Sequence, residues 1–221
     1  MERDAFLARV RAATETAVLP PHPAADPGLL VPDLEDRDLV ELFTAQVEAT
    51  EGVLHRVSTN EEVRHQVAEI ARSHELQSFI AWDDAHLPVS GVGPVLVAAG
   101  LSEVSGDVSS NERLAHQMGY IELDLGITSA EAGFAESGTI VLRSGPGRPR
   151  MASVIPLVHV VLLPVDRLYR SLAHWARDNA SGIPDAANVV FITGPSKTGD
   201  IEQHINVGVH GPRYVHVLLL T

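Results

Sequence analysis

The 221-residue sequence contains no cysteine. This absence excludes disulfide bonds, a catalytic thiol and any iron–sulfur cluster held by thiolates of this chain. The sequence also lacks a run of about 18 apolar residues, the length needed to cross a bilayer, and its first residues do not open an apolar segment of signal-peptide type. We therefore expect a cytoplasmic protein with no membrane span.

Basic residues are scarce as well. The sequence has 16 Lys and Arg against 29 Asp and Glu, which gives a formal net charge of −13. Nucleic acids and anionic membranes bind clustered Lys and Arg, so neither is expected as a main partner. Because 45% of the residues are hydrophobic, the chain can bury one substantial core.

The N-terminal part of the chain differs in composition from the rest. Residues 2–18 carry apolar positions at helical spacing, and residues 19–28 contain four prolines, which favour an extended arm. We divide the chain into a helix and proline-rich arm over 1–34 and an α/β domain over 35–221. The arm could pack on its own domain, fray, or reach a partner subunit, and the sequence leaves these three alternatives open.

Beyond the arm, strand and helix patterns alternate. Such alternation predicts a mainly parallel sheet with helices on both faces. The predicted strands cover residues 53–57, 77–81, 139–142, the part of 155–163 that follows Pro156, 189–192 and 214–220. Five helices are predicted in this part of the chain. The first is capped by Asp33 or Asp36 and runs to about Gly52, and the others cover residues 58–74, 111–118, 128–134 and 166–177.

The strand that ends at Thr193 leads into a Gly-Pro turn rich in short polar side chains. Ser196, Thr198 and Asp200 offer oxygens that can cap backbone N–H groups. Open α/β sheets bind ligands at the carboxyl ends of their strands, and exposed N–H groups there favour an anion. This turn is therefore a candidate anion site.

A second polar segment lies in the middle of the chain. Thr128 and Glu131 have capping-box spacing, so Glu131 could be a helix cap and nothing more. Glu136, just before a predicted strand, is either a solvated turn residue or a carboxylate at the rim of a site. The 143–150 loop carries three arginines and is either a solvated hairpin or the place where an arginine binds a carboxylate or phosphate.

Histidines are frequent, with eleven in the chain. His159 lies inside a predicted strand and is expected to be a hydrogen-bonded core residue, whereas His210 is flanked by glycines and expected to be exposed. Asp200, His204 and His210 could converge, but no dense metal-ligand motif is present, so we expect no metal site.

Two long motifs resemble those of a known family. Residues 194–202 (GPSKTGDIE) with 208–213 (GVHGPR) resemble the C-terminal signature of the LUD family, the lactate utilization protein C proteins. Residues 127–139 (ITSAEAGFAESGT) with 156–159 (PLVH) resemble its middle motif, and the resemblance covers roughly 35–221. Lys197 stands where that family has arginine, and Gly199 stands where it has alanine. The first difference changes how an anion would be held, because a lysine ammonium acts as a point charge whereas an arginine guanidinium can donate two parallel hydrogen bonds.

The resemblance implies a fold and a site. The fold would be a three-layer α/β sandwich of the NagB/RpiA/CoA transferase-like type, with a mixed, mainly parallel sheet. In that superfamily a carboxylate from a turn at the strand ends often performs the chemistry, which points to Glu136 as the catalytic residue. The implied substrate-binding residues are Thr128, Glu131, Thr139, Arg143, Gly194, Ser196, Lys197, Thr198, Asp200, His210 and Arg213. Glu136 and Thr139 should then share one cleft with Ser196 and Thr198.

The resemblance also implies a function. It predicts an accessory subunit of a cytoplasmic system that oxidises L-lactate to pyruvate, with an anion-binding cleft and with iron–sulfur clusters held only by partner subunits. One alternative is a stand-alone enzyme acting on a small phosphorylated, carboxylated or CoA-linked metabolite, with Glu136 as base or nucleophile. A ligand-sensing or purely structural module is another, and formation of a homo-oligomer stays open.

Overall fold

The structure is a computed structural model that describes residues 3–15, 38–105, 123–179, 188–199, 205–208 and 210–221. Contacts between Cα atoms divide the chain into residues 1–30 and 31–221. The first unit contains helix α1 (Arg3–Glu15), in agreement with the helix expected near the N-terminus. The predicted boundary at residue 34 and the predicted helix over 111–118 lie outside the described residues.

The described part of the second unit contains four α-helices, twelve strands and three short 3-10 helices. The helices are α2 (Leu39–Ala49), α3 (Asn60–Ser73), α4 (Val92–Ala98) and α5 (Leu172–Asp178), and the 3-10 helices are Asp84–His86, Arg150–Ser153 and Val165–Arg167. The strands are β1 (Val53–Val57), β2 (Ser78–Ala81), β3 (Ser102–Glu103), β4 (Leu125–Ser129), β5 (Ala132–Phe134), β6 (Thr139–Ser144), β7 (Val158–Pro164), β8 (Leu168–Tyr169), β9 (Asn188–Ile192), β10 (Lys197–Gly199), β11 (Ile205–Val207) and β12 (Tyr214–Leu220).

Six of these strands form a central sheet in the order β1-β12-β7-β4-β2-β3, with every neighbouring pair parallel. A second sheet, β8-β5-β6-β9, contains antiparallel pairs, and β10 pairs with β11 as an antiparallel ribbon. The prediction of an α/β fold with a mainly parallel sheet is confirmed.

Both faces of the central sheet are covered. Phe79 of β2 lies beside Gly93 of α4, whereas Gly126 of β4 faces Ala152 of the 3-10 helix Arg150–Ser153. Since Phe79 is level with Leu125, and successive side chains of a strand point to opposite faces, α4 and this 3-10 helix lie on opposite sides of the sheet. This is the layered arrangement that the sequence pattern predicted.

Helix α3 begins within its predicted range, with reciprocal side-chain contacts to its first backbone N–H groups. The hydroxyl of Thr59 accepts the N–H of Glu62 at 3.1 Å, and the Glu62 carboxylate accepts the N–H of Ser58 at 2.7 Å. The preceding helix, α2, is instead capped by Asp38, whose carboxylate accepts the N–H of Val40 at 2.9 Å. The proposed caps Asp33 and Asp36 lie outside the described residues.

Two predicted helices are wrong. The 128–134 segment consists of the end of β4, a short connection and β5, because Thr128 is fully buried in the sheet and shares a 2.9 Å hydrogen bond with His159 of β7. Only the second half of the helix expected over 166–177 forms, as α5 (Leu172–Asp178). The first half contains Leu168–Tyr169, which pairs with β5 as strand β8. In both cases hydrogen bonds to a distant strand override the local pattern.

The prediction that His159 is a core histidine is confirmed. It is fully buried, its Nδ1 has no hydrogen-bond partner among the residues that the structure describes, and burial lowers its pKa to about 3. The ring is therefore neutral at physiological pH, and it ties β7 to β4 through Thr128.

Three further histidines join β1, β12 and the end of α3. The Nε2 atom of His55 lies 3.0 Å from Nδ1 of His216, and Nε2 of His216 lies 3.3 Å from Nε2 of His74. Burial, and then the positive charges that His55 and His74 can carry, lower the pKa of His216 to about 4. This histidine chain is therefore most stable when His216 is neutral.

We predict that Gly126→Ala destabilises the protein by about 1–3 kcal/mol or more, because an added Cβ would lie 1.8 Å from the carbonyl oxygen of Ala152. The measurement is chemical denaturation. The matched control is Gly93→Ala, where the nearest atom would be 3.8 Å away and alanine favours the helix. Equal stability of the two variants would contradict the packing described here.

We predict that the protein loses stability as the pH falls from about 6.5 to about 4. The folded pKa of His216 lies below its unfolded value of 6.5, so the unfolded chain binds the proton more tightly and acid favours unfolding across this window. His216→Asn should reduce the slope of stability against pH, measured as the thermal midpoint at several pH values. The exposed His65, changed to Asn, is the control and should leave the slope unchanged.

Candidate functional site

A cavity of about 320 Å³ opens at the carboxyl ends of β2 and β4 and beside the segment that follows β7. This is the edge of a parallel sheet at which α/β proteins bind ligands. Its polar lining consists of His86, Ser129, Glu131, Arg143, Arg148 and Arg167, and we call this cavity the arginine pocket. Part of its wall is apolar and includes Trp82, Leu87 and Pro88.

The β5-β6 hairpin brings a carboxylate and a guanidinium to the pocket. Glu131 precedes β5 and its N–H donates to the carbonyl of Val141 in β6, two residues before Arg143. This register lets an Nη2 of Arg143 donate to the Glu131 carboxylate at 2.5 Å. Since Glu131 pairs with Arg143, the capping role considered from its spacing is wrong.

Arg148 is supplied by a tight turn between residues 145 and 148. Gly145 and Arg148 exchange two backbone hydrogen bonds of 3.2 and 2.9 Å, and the N–H of Asp83 donates to the Gly147 carbonyl at 2.9 Å. Gly147 has φ of +68°, and a Cβ there would lie 2.5 Å from a carboxylate oxygen of Asp83. Only glycine fits at this position, so the turn is held against the residues that follow β2.

The three arginines differ in how many of their N–H groups donate hydrogen bonds to the protein. Arg167 donates to the carbonyl of Ala130 at 2.9 Å and more weakly to the Ser129 hydroxyl at 3.4 Å. The Nε atoms of Arg143 and Arg148 are buried and have no hydrogen-bond partner among the described residues. These two Nε atoms have no accessible surface, but the terminal nitrogens of Arg148 and Nη1 of Arg143 donate no hydrogen bond to the described residues and can donate to a bound anion.

The charge of the arginine pocket is opposite to that of the whole chain. Three guanidinium groups and one carboxylate leave a formal charge of about +2 in the pocket, whereas the whole sequence carries −13. A neighbouring cavity of about 450 Å³ lies on the other side of the same turn, and its charged lining residues are the acidic Asp83 and Glu103. The charge of the arginine pocket therefore suits an anion better than the charge of this neighbour does.

The structure brings only part of the predicted site together. Among the predicted residues, Glu131 and Arg143 line the arginine pocket, and Thr128 is buried beside it in the sheet, hydrogen bonded to His159. With no exposed surface, Thr128 cannot contact a ligand as the structure stands.

Glu136 and Thr139 lie at the opposite end of β6, about 13 Å along the strand from Arg143. Glu136 is exposed and its N–H donates to the carbonyl of Arg170 at 3.1 Å. The hydroxyl of Thr139 lies 2.8 Å from that of Thr193, which joins this turn to the end of β9. Within the described ranges no hydrogen bond connects Glu136 to residues 194–197, and its catalytic role stays a prediction.

The C-terminal candidates are distributed along two adjoining loops. Gly194 has φ of +69° and packs on the carbonyl of Thr50, and the N–H of Ser196 donates to Pro212 at 2.9 Å. Lys197 forms a 2.8 Å ion pair with Glu51. Thr198 lies in β10, level with Asn206, and Asp200 lies outside the described residues.

The remaining two candidates, His210 and Arg213, are exposed, and the Arg213 guanidinium lies 5.5 Å from the ring centre of Tyr214. The binding roles proposed for these loops stay predictions. In the part of the chain that the structure describes, no group of three or more His, Asp or Glu side chains is arranged to hold a metal ion.

The predicted site residues did not include Trp82, His86, Ser129, Arg148 or Arg167, nor the apolar lining residues Ala85, Leu87 and Pro88. A signal for the first two existed, because they follow the predicted strand 77–81 at its carboxyl end. Arg167 was assigned to a helix, and Arg148 was noticed only as one of three arginines in a loop.

The sequence is similar to that of a known protein family. The family model described as LUD domain matches residues 40–220, which is most of the chain. The chain belongs to the LUD-domain family. The matched range contains the whole central sheet and every residue of the arginine pocket.

Several bacterial relatives of this LUD-domain protein carry the name lactate utilization protein C. The one from Shouchella clausii is 30% identical over 95% of this chain and 93% of its own length. The one from Exiguobacterium sp. is 41% identical over 104 residues, and the match spans 45% of either chain. A further relative, from Halalkalibacterium halodurans, is 34% identical over 65% of this chain and 62% of its own length.

A solved structure shares the LUD-domain fold described above. The crystal structure of a DUF162 family protein from Deinococcus radiodurans has a TM-score of 0.59 and 18% sequence identity, over 83% of this chain and 96% of that chain. Among the described residues, no helix combines the length and apolar character that a bilayer span requires.

Proposed function

We propose that this protein is an accessory subunit of a cytoplasmic lactate-utilization system that oxidises L-lactate to pyruvate, and that its arginine pocket binds a small anionic metabolite. The observation that carries the anion site is the convergence of three arginines at the carboxyl edge of the parallel sheet, one of which, Arg148, forms no ion pair with a described carboxylate. The names of the relatives, one of which matches over 95% of this chain, support the lactate role.

The composition supports an accessory role and not an electron-carrying one. The sequence has no cysteine, so it offers no thiolate for an iron–sulfur cluster. Oxidation of a hydroxyl group to a carbonyl removes two electrons, and another group must accept them. We therefore propose that iron–sulfur partner subunits hold the redox centres, while this chain binds a ligand or positions its partners.

The chemistry of the pocket suits recognition of an anion. Guanidinium groups stay charged at any physiological pH and bind carboxylate or phosphate through two parallel hydrogen bonds. Arg148 is the main candidate, because no described carboxylate pairs with it, whereas Arg143 already donates to Glu131. The apolar wall near Trp82 would contact the carbon skeleton of the ligand.

We predict that small anions bind the purified protein saturably and that Arg148→Met weakens this binding by roughly ten-fold or more, since it removes a charge-assisted hydrogen-bonding group. The measurement is isothermal titration calorimetry with sulfate, pyruvate and L-lactate. Arg150→Met is the matched control, because Arg150 is exposed and does not line the pocket. Equal affinities of the two variants for every anion would refute the assignment of the pocket.

We predict that deletion of the gene slows growth on L-lactate and that a tagged chain co-purifies with iron–sulfur proteins, detected by their visible absorption and iron content. Reintroduction of the wild-type gene should restore growth on lactate, while growth on glucose should be unaffected throughout. Normal growth of the deletion strain on lactate, together with the absence of iron–sulfur proteins from the purified material, would exclude the proposed role.

A further inference from the structure

We infer that the ligand of the arginine pocket is a small dianion, either a dicarboxylate or a phosphate monoester, and not lactate itself. This inference rests on the proposed anion site and makes it more specific. It follows from three properties of the pocket: its charge, the number of its unused donors, and its size.

The charge of the pocket exceeds what a monocarboxylate can neutralise. With three arginines and Glu131, the formal charge is about +2, and the guanidinium group cannot lower it by losing a proton. Binding of lactate would leave one positive charge of the pocket uncompensated. A dianion matches the charge, so its second anionic group should add affinity.

The unused donors lie on two different guanidinium groups. In the described part of the chain, the terminal nitrogens of Arg148 and Nη1 of Arg143 donate no hydrogen bond, whereas the Nε atoms of both arginines are too buried to reach a ligand. One carboxylate usually takes its two hydrogen bonds from a single guanidinium, so two arginines with free donors match two anionic groups or the three oxygens of one phosphate. Glu131 occupies Nη2 of Arg143 and leaves its Nη1 available.

Arg167 differs from these two arginines because it already donates to the Ala130 carbonyl and the Ser129 hydroxyl. Its charge still contributes to the field in the pocket, but its hydrogen bonds with the protein hold it in place. We therefore assign direct ligand contacts to Arg143 and Arg148, and a supporting electrostatic role to Arg167.

The size of the pocket limits the ligand. A cavity of about 320 Å³ is at the small end of the range for ligand sites, which runs from about 300 to 1,000 Å³. It accommodates a metabolite of a few carbon atoms. A four-carbon dicarboxylate and a three-carbon phosphate monoester both meet this limit.

The test compares L-lactate with L-malate, which has the same 2-hydroxycarboxylate group and carries a second carboxylate in place of a methyl hydrogen. Glycerol 3-phosphate represents the phosphate monoesters, and the pH is set at 7.5, above the second phosphate pKa of about 6, so that this ligand is dianionic. Affinities are measured by isothermal titration calorimetry at constant ionic strength, because salt screens charge interactions.

We expect at least one of the two dianions to bind roughly ten-fold or more tightly than lactate, because it adds a second charge-assisted group. Whichever dianion binds more tightly identifies the class of ligand. Arg148→Met should remove most of this preference, and the exposed control Arg150→Met should retain it. Circular dichroism and thermal midpoints confirm that each variant is folded.

The outcomes separate this inference from the proposed function. If lactate binds as tightly as both dianions, and Arg148→Met weakens its binding, the anion pocket stands and the dianion inference is wrong. If neither dianion nor lactate binds the wild-type protein, the anion site itself is wrong, and the dianion inference fails with it. If a dianion binds preferentially but Arg148→Met retains the preference, the assignment to this pocket is wrong.

Discussion

The parallel alignment of β2, β4 and β7 is the constraint on which the candidate site depends. Parallel strands end at the same edge of a sheet, so the residues that follow them must meet there. Trp82 and His86 follow β2, Glu131 follows β4, and Arg167 follows β7. The buried pair of Thr128 and His159 holds β4 and β7 together just beneath this edge, without placing a charge in the core.

The small second sheet adds the remaining charges to that edge. Its β5-β6 hairpin begins directly after β4, and the antiparallel pairing brings Arg143 within hydrogen-bonding distance of Glu131. The turn that follows β6 then returns Arg148 to the residues after β2, and Gly147 permits the close contact with Asp83. Two guanidinium groups thus enter the pocket from one continuous segment, and most of its positive charge depends on a single hairpin and its turn.

Sequence patterns predicted the elements whose boundaries depend on local chemistry. The strand Val53–Val57, the helix α3 and the final strand Tyr214–Leu220 were predicted with the observed bounds or close to them, because alternation and caps act over a few residues. The 128–134 segment was misassigned because a Thr and a Glu at capping-box spacing are also compatible with a strand and a hairpin. Their actual partners, His159 and Arg143, are 31 and 12 residues away from them.

The sequence by itself determined the α/β class, the absence of thiol chemistry, the acidic surface and the family resemblance, since composition, periodicity and motifs are local or additive properties. Only the tertiary structure decided that Glu131, Arg143, Arg148 and Arg167 share one pocket while Glu136 and the 194–197 turn lie elsewhere. The physical reason is that strand order and register bring residues together independently of their separation along the chain. A site made of side chains from several strand ends therefore leaves no contiguous pattern in the sequence.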